Sequence, residues 1–201
     1  MLTTKEAIEK RRSIRKFKPD PIPQEYFTEL LNAARLAPSG CNAQPWRFRI
    51  VTEQAAKSGL ARAAYDQNFI EEAPAVLVCC ADISGYLEGT VSGIQDLGKI
   101  GAVENRIADI LLKGAAQLQS YPIDQLGPQI AFNIAIAVEH IVLRALDFGL
   151  GTCWIRLFDA SVVNNLFGWT ENIFPVVLLP IGYPEEDPVP RKRMKIEDIL
   201  I

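Results

Sequence analysis

Histidine is nearly missing from this chain of 201 residues, where His140 stands alone. A Ser-His-Asp or Cys-His relay would need that ring beside a nucleophile, and no G-x-S-x-G elbow is present. His140 falls inside an apolar helical run, where a hydrogen-bonded ring in the core is the simpler role. Cysteine is scarce too: Cys41, Cys79, Cys80 and Cys153 form no C-x-x-C pair. No His/Cys/carboxylate cluster has ligand spacing, so no metal site is expected. Free thiols suit a reducing cytoplasm, which is the expected location. Excess charge of one sign is also missing, since the formal net charge is only -3. That balance argues against general nucleic-acid or membrane-surface binding and leaves any basic patch to a small anionic ligand. Met1 to Glu6 contains no apolar h-region, so no secretory signal is expected. The most apolar stretch, Ile130 to Leu150, is interrupted by Asn133, Glu139, His140, Arg144 and Asp147. Charges at that density are too costly for a membrane span, and a buried helix is expected instead.

What is present predicts one domain over residues 1–201, large enough to bury a substantial core. Thr3 followed by Glu6 is a capping-box pattern that opens a helix through about Arg12. A second helix starts near Pro23, with Tyr26, Phe27, Leu30, Leu31 and Ala34 on one stripe, and stops by Ala37 because Pro38 follows. Pro38 to Pro45 is a loop of small and polar residues. Trp46 to Thr52 predicts a strand with Phe48 and Ile50 on one face, and Glu53 to Tyr65 an Ala-rich helix. Ala75 to Ala81 is a continuous apolar run, as for a strand covered on both faces. Residues 83–128 are the least legible, Gly-rich at first and then helical from about Glu104 to Gln119. A long helix is predicted from Pro128 to about Phe148, with Gly149 as its stop. Thr152 to Phe158 reads as a strand, Asp159 caps a short helix ending near Gly168, and Phe174 to Ile181 is a second buried strand. The apolar tail, Ile196 to Ile201, is expected to pack on something, a partner subunit being one candidate.

Two familiar patterns fail on inspection. Gly93 to Ile100 approaches a phosphate-binding loop, but no Ser or Thr follows Lys99 and no apolar strand precedes it. Gly149-Leu150-Gly151 follows a helix rather than a strand and lacks a third glycine, so it is no dinucleotide fingerprint. With side-chain hydrolytic chemistry so poorly provided for, a cofactor should carry any reaction.

Three features survive. Lys10, Arg11, Arg12, Arg15, Lys16 and Lys18 crowd the end of the first helix, where a helix dipole alone would favour basic residues. With Ser13, however, the guanidinium forks of Arg11, Arg12 and Arg15 suit a phosphate dianion. Arg191-Lys192-Arg193 forms a second cluster after a proline-containing loop. In a net acidic chain the two clusters suggest one anion held from both ends. Ser39, Asn42 and Gln44, on a proline-bracketed loop, suit the hydroxyls and ring edge of a planar cofactor.

These segments together resemble the nitroreductase family of FMN-dependent NAD(P)H oxidoreductases. Arg11 to Phe17 resembles its opening motif and Ala37 to Trp46 its second. Gly149 to Ile155 with Phe158-Asp159 resembles the third, and Arg191 to Arg193 the last. The motifs keep the family's order and span nearly the whole chain; only residues 83–128, a variable insertion or lid, show no counterpart. The resemblance implies an α+β fold with a central, mostly antiparallel sheet flanked by helices, and a homodimer with FMN at the subunit interface. It implies that Arg11, Arg12 and Ser13 hold the FMN phosphate and ribityl region, joined at the phosphate by Arg191 and Arg193. Arg15 would sit by the N1/O2 edge of the flavin. Pro38, Ser39, Gly40 and Asn42 would reach the cofactor from the other subunit, and Gln67, with Asn68 beside it, would meet the pyrimidine end. A backbone N–H near flavin N5 would come from Arg156 or Leu157, where the family often carries Glu-Gly or Gly-Gly. The expected reaction is a ping-pong cycle, with NAD(P)H as donor and a nitroaromatic, quinone or similar electron-poor acceptor. The alternatives within the fold are a reductive dehalogenase and a flavin-processing enzyme. Those outside it are a non-catalytic flavin store or sensor and an anion-binding interaction module.

Overall fold

The continuous apolar runs become the centre of a four-stranded sheet. A computed structural model, describing residues 1–201, contains β1 (Trp46–Val51), β2 (Ala75–Asp82), β3 (Gly151–Thr152) and β4 (Ile173–Gly182) in the order β1-β2-β4-β3. All three pairings are antiparallel. Eight helices accompany the sheet: α1 (Thr4–Lys10), α2 (Gln24–Arg35), α3 (Gln54–Ala63), α4 (Phe69–Glu72), α5 (Ile83–Lys99), α6 (Asn105–Leu118), α7 (Ile123–Ala145) and α8 (Ala160–Phe167).

Period-two alternation divides β2 between two cores. Ala75, Leu77, Cys79 and Ala81 join Leu30 of α2 and Ile134 and Ile141 of α7. Val76, Val78 and Cys80 join Leu60 of α3, Ile70 of α4 and Val163 of α8 on the opposite face. The vicinal cysteines therefore point apart, as the strand reading requires. Each fully buried Leu or Ile contributes about 1.5–3 kcal/mol relative to exposure, so the central strands are held from both sides. His140 is half-buried, its Nδ1 3.1 Å from the Ala33 carbonyl oxygen.

Three expectations need correction. The Gly-rich segment is a helix, α5. Asp82 caps it by accepting from the Gly85 N–H at 2.9 Å. Its glycines disfavour a helix in isolation, but tertiary contact requires them: a Cβ on Gly93 would overlap the Cys41 carbonyl oxygen, and one on Gly89 that of Ala43. The long helix begins at Ile123 rather than Pro128, with Pro122 at its cap and Pro128 in its second turn. Pro128 gives up one helical hydrogen bond there, and burial of Leu126, Ile130 and Ile134 holds the helix across it. The strand expected from Thr152 to Phe158 shrinks to Gly151–Thr152 plus a single bridge between Ile155 and Leu178. Cys153 N–H donates to the Pro180 carbonyl at 3.2 Å. Pro180 has no N–H to return the bond, so the ladder stops. The tail residues Ile196, Ile199 and Leu200 are exposed in the single chain, which leaves the partner subunit as the candidate for their packing.

Candidate functional site

The basic N-terminal segment is built into the fold as an extended strip. Thr3 and Glu6 cap α1 reciprocally, and the helix ends at Lys10. Ile14 N–H then donates to the Thr152 carbonyl at 3.0 Å, and Lys18 N–H to that of Tyr183 at 2.8 Å. The returning chain answers with Glu185 N–H, 3.0 Å from the Lys16 carbonyl. The Glu186 carboxylate accepts from the N–H groups of Arg15 and Lys16. Close approach at this junction needs glycine at position 151, where a Cβ would sit 2.5 Å from the Ile14 side chain. This is the physical content of Gly151 within the third motif.

The strip and the tail together line a cleft of about 370 Å³. Its walls include Arg11, Arg12, Ser13, Arg15, Arg191 and Arg193. The two basic clusters, some 180 positions apart in the chain, are thus neighbours in space. None of these five guanidinium groups is ion-paired; the chain's salt bridges involve Lys5, Arg47 and Arg144 instead. Arg12 Nη1 donates to the Glu9 and Arg11 carbonyls at 2.7 and 2.8 Å, and Arg193 Nη1 to those of Arg191 and Lys192. Those bonds orient the forks without neutralising them. Unpaired guanidinium groups beside a serine hydroxyl fit a phosphate.

The second motif forms a strained turn outside the cleft. Gly40–Asn42 is a 3-10 turn, and Cys41, Asn42 and Gln44 all have positive φ, at 50, 54 and 49°. Non-glycine residues persist in that region only where the surroundings hold them. Here Asn133 of α7 accepts from Gly40 N–H at 2.9 Å, the Ser39 hydroxyl accepts from Gln44 N–H at 3.0 Å, and α5 presses on the turn through Gly89 and Gly93. Pro38, Ser39, Gly40 and Asn42 do not line the basic cleft of their own chain.

A third group gathers beside Arg15. Its guanidinium lies 5.9 Å from the Phe69 ring centroid, and Gln67 Nε2 donates to the Ala64 and Leu157 carbonyls at 2.9 and 3.3 Å. Gln67 and Leu157 are therefore brought together, while Arg156 and Leu157 stay exposed. Neither Arg156 nor Leu157 has positive φ, so the lack of glycine there strains nothing.

Sequence reasoning missed Asn133, Glu186 and α5 as supports of the site. Asn133 is fully buried in an apolar helix. A polar residue inside such a run is the signal that could have found it. Glu186 and the α5 glycines carried no local signal at all. Glu139 of α7 is half-buried; burial raises its pKa against the opposing pull of Arg11 and His140.

The fold and the cleft define an α+β protein with a basic cleft at its N-terminal strip. Comparison with known proteins agrees: a family model described as the nitroreductase family matches residues 8–183, and the chain belongs to that family. It is 32% identical to an NADH dehydrogenase of Thermus thermophilus, over 100% of this chain and 96% of the relative. It is 28% identical to an iodotyrosine deiodinase of Thermotoga neapolitana, over 90% and 88% of the two chains. Among solved structures, a nitroreductase-type protein of Exiguobacterium sibiricum in complex with FMN superposes with a TM-score of 0.80 at 25% identity, covering 100% of this chain and 97% of that one. The α+β architecture, with its antiparallel central sheet, is the family's fold.

Proposed function

We propose that this chain is an FMN-dependent NAD(P)H oxidoreductase that works as a homodimer in the cytoplasm. The observation that carries the reading is the convergence of five unpaired guanidinium groups and Ser13 on one cleft. Arg11, Arg12, Ser13, Arg191 and Arg193 hold the cofactor's phosphate end. Arg15, steadied over Phe69, would place positive charge at the N1/O2 edge, where reduction leaves negative charge. Gln67 would meet the pyrimidine end, and a backbone N–H of the Arg156-Leu157 pair would serve the N5 side. Pro38, Ser39, Gly40 and Asn42 come from the partner subunit, on a turn whose geometry α5 and Asn133 set in advance. When bound, FMN supplies hydride and electron transfer between NAD(P)H and an electron-poor acceptor such as a nitroaromatic or quinone, in ping-pong order. No side-chain acid is needed beyond solvent.

The test is an absorbance spectrum of purified protein, followed by anaerobic addition of NADH or NADPH. Yellow protein that bleaches on adding nucleotide and recovers with a nitroaromatic or quinone is expected. Colourless protein that takes up no FMN would overturn the reading, and coloured protein that neither nucleotide bleaches would point to a flavin store. Reductive dehalogenation is a second reading, favoured by the Thermotoga deiodinase relative. Halide release from an iodinated aromatic separates the two.

A further inference from the structure

A second cleft, of about 560 Å³, shares no residue with the basic one. It lies among the Pro19–Phe27 segment, the start of α3 and the link between α4 and β2. Lys57 is among its lining residues and is only 6% exposed. Its Nζ donates to the Ala73 carbonyl at 2.6 Å, closing the C-terminal end of α4. That bond uses one of three ammonium N–H groups, and no carboxylate lies within ion-pairing distance. Burial lowers the Lys57 pKa, opposed by the charge of Glu71. A buried ammonium without a counter-ion is costly, and one beside a cleft can obtain its counter-ion from a ligand.

The rest of the lining restricts what that ligand is. Glu71 and Glu72 also line the cleft, with the Glu71 carboxylate held by the Ser58 hydroxyl and its backbone carbonyl by Gln54. A simple anion would meet both acids, while a simple cation would leave Lys57 unpaired. Ile22, Phe27, Pro21 and Pro74 supply apolar wall. We propose that this cleft binds a free α-amino acid with an apolar side chain, its carboxylate on Lys57 and its ammonium toward Glu71 and Glu72. One link from this site to the redox site is α4, a helix of four residues with Phe69 under Arg15 at one end and Glu72 at the other. An occupant therefore stiffens the turn that carries Phe69.

Isothermal titration of the flavin-loaded protein with L-leucine tests this, using 4-methylpentanoate and isoamylamine as single-charge controls. Saturable L-leucine binding is expected, with each control at least about tenfold weaker. Lys57→Met should abolish binding, and Glu72→Gln, on an exposed side chain, should weaken it while leaving FMN content unchanged. The proposal is overturned if L-leucine gives no saturable signal up to about 10 mM. Equal binding of either control would overturn it too, as would full retention by Glu72→Gln, the decisive variant if Lys57→Met does not fold. Because the two clefts share no residue, failure here leaves the flavin reading intact, and colourless protein can be titrated in the same way.

Discussion

Arg11 leaves α1 at its C-cap and lines the cleft without an ion-pair partner. Arg11→Ala should therefore weaken FMN binding by about 1.5–3 kcal/mol, the value of a charge-assisted hydrogen bond. Flavin fluorescence titration measures this, and an unchanged Kd would remove Arg11 from the phosphate site. The cysteines allow a second prediction at this scale. Burial pushes the Cys80 thiol up to about 12 and also raises those of Cys79 and Cys153. Thiolate is the reactive form, so native protein treated with iodoacetamide near pH 8 should be modified at Cys41 alone. Peptide mass mapping reads the result; rapid labelling of Cys80 would mean that the sheet opens easily.

At the scale of elements, α5 decides the shape of a loop it does not belong to. Gly93→Ala would drive a methyl into the Cys41 carbonyl, forcing the helix away from the Gly40–Asn42 turn. Overpacking of this kind costs about 1–3 kcal/mol. Thermal denaturation should show the loss, and amide exchange over residues 38–45 should accelerate while FMN affinity falls. Unchanged exchange there would mean that α5 does not hold the turn. The start of the chain is fastened in a different way. Asp147 accepts from Leu2 N–H at 2.6 Å and from Arg144 at 2.6 Å, and these bonds, the first above all, lower its pKa. The sign follows: a carboxylate with a depressed folded pKa stabilises above its unfolded value and loses that contribution as pH falls through the folded one. Asp147→Asn should therefore lower the Tm at neutral pH, with the difference from wild type narrowing below about pH 4. A difference constant from pH 7 to pH 3 would contradict the assignment.

Over the whole molecule, apolar surface is left uncovered. Phe132 on α7, Leu36 beyond α2, and Ile196, Ile199 and Leu200 in the tail are all exposed, which suits a partner of the same kind. Light scattering on the eluting protein should give about twice the 22.3 kDa chain mass. A persistent monomer that still binds FMN tightly would exclude the Pro38–Asn42 turn of a second subunit from the site.

The amino-acid order by itself determined α1, α2, β2, α8 and the motif segments at 11–17 and 37–46, because caps, helical stripes and continuous apolar runs are local signals. It also identified both basic clusters, since charge density needs no coordinates. That Arg11 and Arg193 share one cleft was expected from two basic clusters in a net acidic chain, and folding supplies the long-range contact that realises it. Tertiary structure alone turned a Gly-rich stretch into α5, because the space beside the 40–43 turn excludes any Cβ. It moved the start of α7 ahead of Pro128, because burial outweighs one lost hydrogen bond, and it cut β3 short at Pro180. Lys57 was silent in sequence for the same reason: a polar group's role is set by what folding brings beside it.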